Sequence, residues 1–178
     1  MAKAASPRQD AIALLKADHR KVEELFEQFE NARGAKSKVK IAQQICTELM
    51  VHAAIEEEVF YPAVKEAVEE EISTEAHVEH DGAKMLIAEI LASSPDDEFY
   101  EAKVKVLSEE IKHHVKEEEQ RDGMFAQAKK GDVDMTELGA QLSSRKQELM
   151  REFKQQGLPI PETRSMKGVK LKVGQPAA

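Results

Sequence analysis

HAAIEEEVFYP, residues 52–62, sets His52 and Glu56 four residues apart in a segment that otherwise reads as a helix. The positions leading up to them at steps of three and four are Ile41, Ile45 and Leu49. The imidazole and the carboxylate therefore share the apolar stripe that a helix turns toward a core. A buried carboxylate without a cation beside it costs several kcal/mol or takes up a proton. Something positive has to meet this stripe.

The same reading finds three more stripes. The first helix yields Ile12, Leu15, His19, Val22, Phe26 and Phe29, and the third yields Ala76, His80, Ala83, Ile87 and Ile90. The fourth yields Val104, Leu107, Ile111, His114 and Glu118. Each helix thus carries one histidine on its inward face, and two of them follow it with a glutamate at i+4. Residues four apart lie one above the other on a helix face, so His52 with Glu56, and His114 with Glu118, reach toward one centre. Four imidazoles and two carboxylates make a donor set suited to iron, zinc or manganese. A hydrogen-bonded polar network would use the same residues, but such networks are hard to satisfy and rarely repeat.

Here the pattern repeats. His19 and His80 are 61 residues apart, while His52 and His114, like Glu56 and Glu118, are 62 apart. Two similar helical hairpins would each supply His…His-x3-Glu, with one cation held mainly by each half and carboxylates from the second and fourth helices bridging them. Two metals close together inside a helix bundle is the expectation. His113 with Glu117 is an alternative register, but its row passes through Val106 and Glu109 or Glu110, whereas the His114 row is apolar. His77 falls one face away from His80, beside Asp81 and Lys84, and is read at a solvated rim. Glu57, Glu58 and Glu119 are read as solvent-facing, with Glu57 and Glu119 near enough to swing in as extra ligands. Tyr61 is read either as a donor near the site or as packing at a helix bend.

Composition agrees with an all-α, up-down four-helix bundle. Of 178 residues 34% are charged and 4% aromatic, with no Trp, eight Gly and six Pro. Five helices can be drawn. The first runs from Pro7, capped by Ser6, to Asn31; the second runs from Ser37 to Glu70, bent or ended by Pro62. The third runs from a cap at Ser73 or Thr74 to Ala92, and the fourth from near Pro95 to Gly123 or on to Lys130. The fifth opens on a capping box in Asp134 and Glu137 and ends before Gly157. This predicts a metal-binding bundle over 7–130, an accessory helix over 131–156 and a basic, disordered or loosely docked tail over 157–178. The net charge of −8 argues against nucleic acid as partner. No apolar run is long enough for a membrane span, and a lone Cys46 favours the cytoplasm, with that residue a small buried apolar side chain.

DHRKVEELF (18–26), HAAIEEEVFYPAV (52–64), VEHDGAKMLIAEI (78–90) and HHVKEEE (113–119) together resemble the haemerythrin-like, HHE cation-binding domain, over roughly residues 10–130. The resemblance implies an up-down bundle around two iron ions in an oxo- or hydroxo-bridged centre, with iron ahead of zinc or manganese. His19, His52, His80 and His114 would be terminal ligands, and Glu56 and Glu118 bridging ones. The chain departs from the oxygen-carrying haemerythrins in its His77/His80 spacing and in carrying Glu118 four residues after His114. The function expected is binding or sensing of oxygen, nitric oxide or peroxide. The alternatives are a di-iron enzyme that turns over peroxide or nitric oxide, and iron storage or buffering. Any protein partner stays unknown. Motifs for proteases, NTPases, hydrolases and dinucleotide binding are absent.

Overall fold

A computed structural model describes residues 9–168. Five helices of 20 to 23 residues make up most of it: α1 (Ala11–Asn31), α2 (Ala35–Ile55), α4 (Glu70–Ala92), α5 (Tyr100–Glu119) and α7 (Met135–Gln156). Two short ones, α3 (Tyr61–Val64) and α6 (Met124–Ala128), and a π-helical turn over Glu56–Phe60 complete the described residues.

The core consists of two apolar layers. One gathers Leu14 and Leu15 from α1, Val51 and Ile55 from α2, Ala76 from α4, and Met124 and Phe125 from α6. The other gathers Val22 and Phe26 from α1, Ile45 and Leu49 from α2, Ile87 and Ile90 from α4, and Val104 and Leu107 from α5. Followed in chain order, α1 rises from the first layer to the second, α2 descends, α4 rises and α5 descends. That is an up-down-up-down bundle, as the short connections imply. Between the layers lies a buried polar band: Asp18, His19, His52, Glu56, His80, His114 and Glu118.

Several helix ends differ from the sequence expectation. α1 starts at Ala11, with Asp10 accepting from the Ala13 N–H at 2.8 Å; the expected start at Ser6 and Pro7 lies outside the described residues. The second helix stops at Val64, and α4 begins at Glu70, ahead of Ser73 and Thr74. Thr74 does not cap it but bonds back to the Glu70 and Glu71 carbonyls, since a threonine hydroxyl competes well for nearby backbone. α5 opens at Tyr100, later than Pro95, because Ser94–Phe99 is taken up by turns in which Asp97 accepts from the Ser94 N–H.

The capping of α7 follows the sequence: Asp134 accepts from the Thr136 and Glu137 N–H groups at 2.9 and 3.0 Å. Gly157 ends the helix at φ +84°, a conformation that other residues adopt at a cost. Asp134→Ala should therefore lower stability by about 1 kcal/mol, read as a shift in the urea midpoint; no shift would mean that water replaces the cap.

α7, which the sequence sets outside the four-helix bundle as an accessory helix, packs Leu138, Leu142 and Leu149 into the same apolar layer as α1 and α2. Gly139 lets it lie close on the start of α1, where a Cβ would meet the Gln9 carbonyl oxygen at 2.3 Å. Residues 157–168, expected to be disordered or loosely docked, are tied down at Asp81, which accepts from the Arg164, Ser165 and Met166 N–H groups. Residues 169–178 of that tail lie outside the described residues. Cys46 is fully buried and its thiol is pushed up to about 12 by that burial, so it packs as a small apolar side chain. Among the described residues no helix is long and apolar enough to cross a membrane.

Candidate metal centre

Each wall of the bundle contributes to the polar band. His19 comes from α1, His52 from α2, Glu56 from the π turn, His80 from α4, and His114 and Glu118 from α5. All six are at most 6% exposed, and the two glutamates are at 0% and 2%.

The inward-facing atoms converge. His19 Nε2 lies 3.0 Å from His52 Nε2 and 3.4 Å from Glu118 Oε2, and His52 Nε2 lies 3.2 Å from Glu56 Oε1. On the other side His80 Nε2 is 3.2 Å from His114 Nε2 and 3.3 Å from Glu56 Oε2. Two ligand clusters result, one of His19, His52, Glu56 and Glu118 and the other of Glu56, His80 and His114. Glu56 belongs to both, one oxygen facing each. Glu118 Oε2, 3.7 Å from His114 Nε2, leans toward the second cluster as well.

The outer ring nitrogens explain why the inner ones need a cation. Glu119 sits 2.7 Å from His19 Nδ1, Glu57 2.9 Å from His80 Nδ1 and Glu79 2.7 Å from His114 Nδ1. A carboxylate there fixes the proton on Nδ1 and leaves a lone pair on Nε2, which is how histidine ligands to metals are oriented. His52 is the loose case: Asp18 stands 3.7 Å from its Nδ1 and is held from outside by Lys146 of α7. Lone pairs facing lone pairs at 3.0 and 3.2 Å repel unless a positive charge lies between them. Glu56 Oε1 and Glu118 Oε2 point the same way, buried and without a hydrogen-bond partner. A pair of divalent cations satisfies all of these atoms together, so the residues present fit a metal pair.

The electrostatics agree. Burial alone would lower the His52 and His80 pKa values, but Glu56 with Asp18, and Glu56 with Glu57, outweigh it and push them to about 10 and about 9. Burial would raise the Glu56 carboxyl, yet His52 and His80 hold it well below the usual range. The band attracts positive charge, whether protons or metal.

The outer carboxylates form a ring. Asp18 on α1 backs His52 on α2, Glu57 after α2 backs His80 on α4, Glu79 on α4 backs His114 on α5, and Glu119 on α5 backs His19 on α1. Every one is the sequence neighbour of a stripe histidine or glutamate, a signal present in Asp18-His19, Glu56-Glu57, Glu79-His80 and Glu118-Glu119. Asp18 and Glu79 escape notice in the sequence because one residue off a stripe reads as surface, and Lys146 because its helix carries no stripe histidine. Glu57 and Glu119, which the sequence sets in solvent as reserve ligands, have oxygens engaged on the far side of the rings.

Tyr61 lies inside the band, its hydroxyl 3.2 Å from Glu118 Oε1, 3.3 Å from Glu56 Oε2 and 3.4 Å from His80 Nε2. The π turn puts it there: the Tyr61 N–H bonds the Glu56 carbonyl five residues back, so both side chains face the same way. His113 is 61% exposed on the surface with Glu79 and Glu117. His77 is half-buried against the Tyr61 ring, with Arg164 at 3.3 Å, and joins neither buried cluster. Its neighbours Asp81 and Lys84, expected on a solvated face, are buried at 0% and 7% exposure by residues 163–166 and by Glu57.

The four histidines also line a cavity of about 20 Å³, together with aliphatic side chains such as Val22, Leu49, Ala53, Ile87 and Val115 and with Asp18 and Lys84. The two glutamates, and Tyr61 in contact with both, are not in its wall. That volume accommodates one molecule the size of water.

Known proteins match this chain in sequence and fold. The family model described as Hemerythrin HHE cation binding domain matches residues 10–126. A crystal structure of a hemerythrin HHE cation binding domain-containing protein from Mycobacterium kansasii superposes with a TM-score of 0.71 at 21% identity, covering 84% of this chain and 95% of that one. A protein of Nostoc sp. (strain PCC 7120) named DNA nickase is 32% identical over 111 residues, which are 62% of this chain and 31% of the relative's own length.

Proposed function

The chain belongs to the haemerythrin HHE cation-binding family, and from that membership we propose that its two ligand clusters hold a pair of iron ions and that a small oxidant or diatomic gas binds beside them. The observation that carries this reading is the small cavity against the four imidazoles, whose open surface is almost wholly apolar. Such a surface holds water weakly and suits oxygen or nitric oxide, which lose little hydration on entering.

Iron held there would supply redox capacity and affinity for a small ligand. The protein's own part is to hold the ions. His19 and His52 with Glu56 and Glu118 would hold one ion, and His80 and His114 with Glu56 the other. The second cluster has one donor fewer. The outer carboxylates lock the rings, and the two apolar layers keep bulk water away.

Turnover of peroxide is a second reading, and Tyr61 favours it. Burial and the charges of Glu56 and Glu118 raise its hydroxyl well above the usual value, so it keeps its proton within hydrogen-bond range of both carboxylates. Nicking of DNA is not carried over: the chain spans under a third of that relative, and its charge of −8 repels phosphate. A single buried thiol suits the cytoplasm, where this reading places the protein.

The test is the visible spectrum of the iron-loaded chain. A stable change when oxygen or nitric oxide meets the reduced form supports binding, and steady consumption of peroxide supports turnover. A colourless protein that retains zinc and responds to neither would end both readings.

A further inference from the structure

Outside the band, a groove of about 520 Å³ runs between α2, α7 and the strap 157–168, floored by Met50, Ala54, Leu149, Phe153, Leu158 and Ile160. One side chain lines both this groove and the inner cavity: Lys84. It is 7% exposed, and its Nζ is bound to both oxygens of Glu57, at 2.7 and 2.9 Å. Lys84 therefore stands between the groove and the cavity.

The strap controls where that side chain has reason to stay. Asp81, one helical turn before Lys84, is fully buried and accepts from the Arg164, Ser165 and Met166 N–H groups and from Ser165 Oγ, at 2.5 to 3.1 Å. Its Oδ1 is 3.8 Å from Lys84 Nζ. With the strap docked, Asp81 is saturated and Lys84 rests on Glu57. With the strap lifted, Asp81 loses all four of these donors, and the cation 3.8 Å away is Lys84.

We propose that a small ligand reaches the cavity from this groove past Lys84, and that the strap 157–168, by docking on Asp81, holds Lys84 closed across the route. Release of the strap draws Lys84 from Glu57 to Asp81 and opens the way. This rests on the reading that the cavity takes a small ligand; of the parts it uses, α7 and the strap lie beyond the matched residues 10–126, and Asp81 and Lys84 lie within them.

Ser165→Glu sets a carboxylate against Asp81 and lifts the strap, which hydrogen exchange at the Arg164, Ser165 and Met166 amides would register. A gate speeds entry and exit alike. Stopped-flow nitric oxide binding to the reduced, iron-loaded chain should therefore show both rate constants raised about tenfold with their ratio unchanged. Lys84→Ala should raise both rates as well, and Lys84→Met, which keeps the stem without the ion pair, serves if the alanine variant fails to fold. Unchanged rates with exposed strap amides, or a change in one rate constant alone, would overturn the route. Relaxation of the Leu49 and Ile87 methyl protons by dissolved oxygen in the metal-free chain separates this from the reading beneath it. If nitric oxide does not bind but oxygen relaxes those methyls faster in Ser165→Glu, the ligand reading falls and the route stands. Oxygen that never relaxes them, or does so equally in every variant, sinks the route.

Discussion

Glu56→Ala is expected to cut bound metal from about two ions per chain to fewer than about one, a larger loss than any single histidine substitution produces. Glu56 is the one residue common to both clusters, with Oε1 3.2 Å from His52 and Oε2 3.3 Å from His80. Losing it takes a negative charge from each ion at once. His114→Ala leaves the first cluster whole and should spare roughly one ion. His77→Ala and His113→Ala, outside the buried clusters, should leave the content unchanged. Elemental analysis of desalted protein reads all four, and a Glu56→Ala chain that kept both ions would end the assignment of ligands.

Chelating the metal should lower stability by about 5 kcal/mol, if each ion is present at about a hundred times its dissociation constant. For a chain of this size that is a fall in Tm of about 10–20 °C. The physical origin is the band itself, where lone pairs meet at 3.0 and 3.2 Å and two carboxylate oxygens have no partner. The loss should depend on pH. In the metal-free chain protons take the cation's place, with His52 raised from 6.5 to about 10 and His80 to about 9. A raised folded-state pKa gives stability that is complete below the unfolded value of 6.5 and lost as pH climbs through the folded one. The metal-free Tm should therefore fall between pH 6.5 and 9, and the gap to the metal-loaded form should widen across that window. A gap that stayed constant or narrowed would mean that the imidazoles are not sharing protons with Glu56.

The fold was largely legible because the stripes are. Ile12, Leu15 and Val22 on α1, and Val104 and Leu107 on α5, recur at helical period, and Asp134 announces α7 by its chemistry. The placement of His19, His52, Glu56, His80, His114 and Glu118 in one buried band was legible for the same reason. The π turn was not. Glu56–Phe60 reads as ordinary helix in sequence, and only the five-residue bond from Tyr61 to Glu56 reveals the wider turn. The ring of Asp18, Glu57, Glu79 and Glu119 was equally hidden, since a residue beside a stripe points away from its own helix's core.

From the sequence alone come the identity of the buried donors and the helices that carry them, because helical period decides which side chains face inward before any helix meets another. Which carboxylate serves which imidazole, why Lys84 and Asp81 are buried, and how residues 163–166 dock on Asp81 were settled only by packing. A neighbouring helix or strap can cover a face that local periodicity leaves to solvent, and such contacts join residues as far apart as His19 and Glu119, or Asp81 and Ser165.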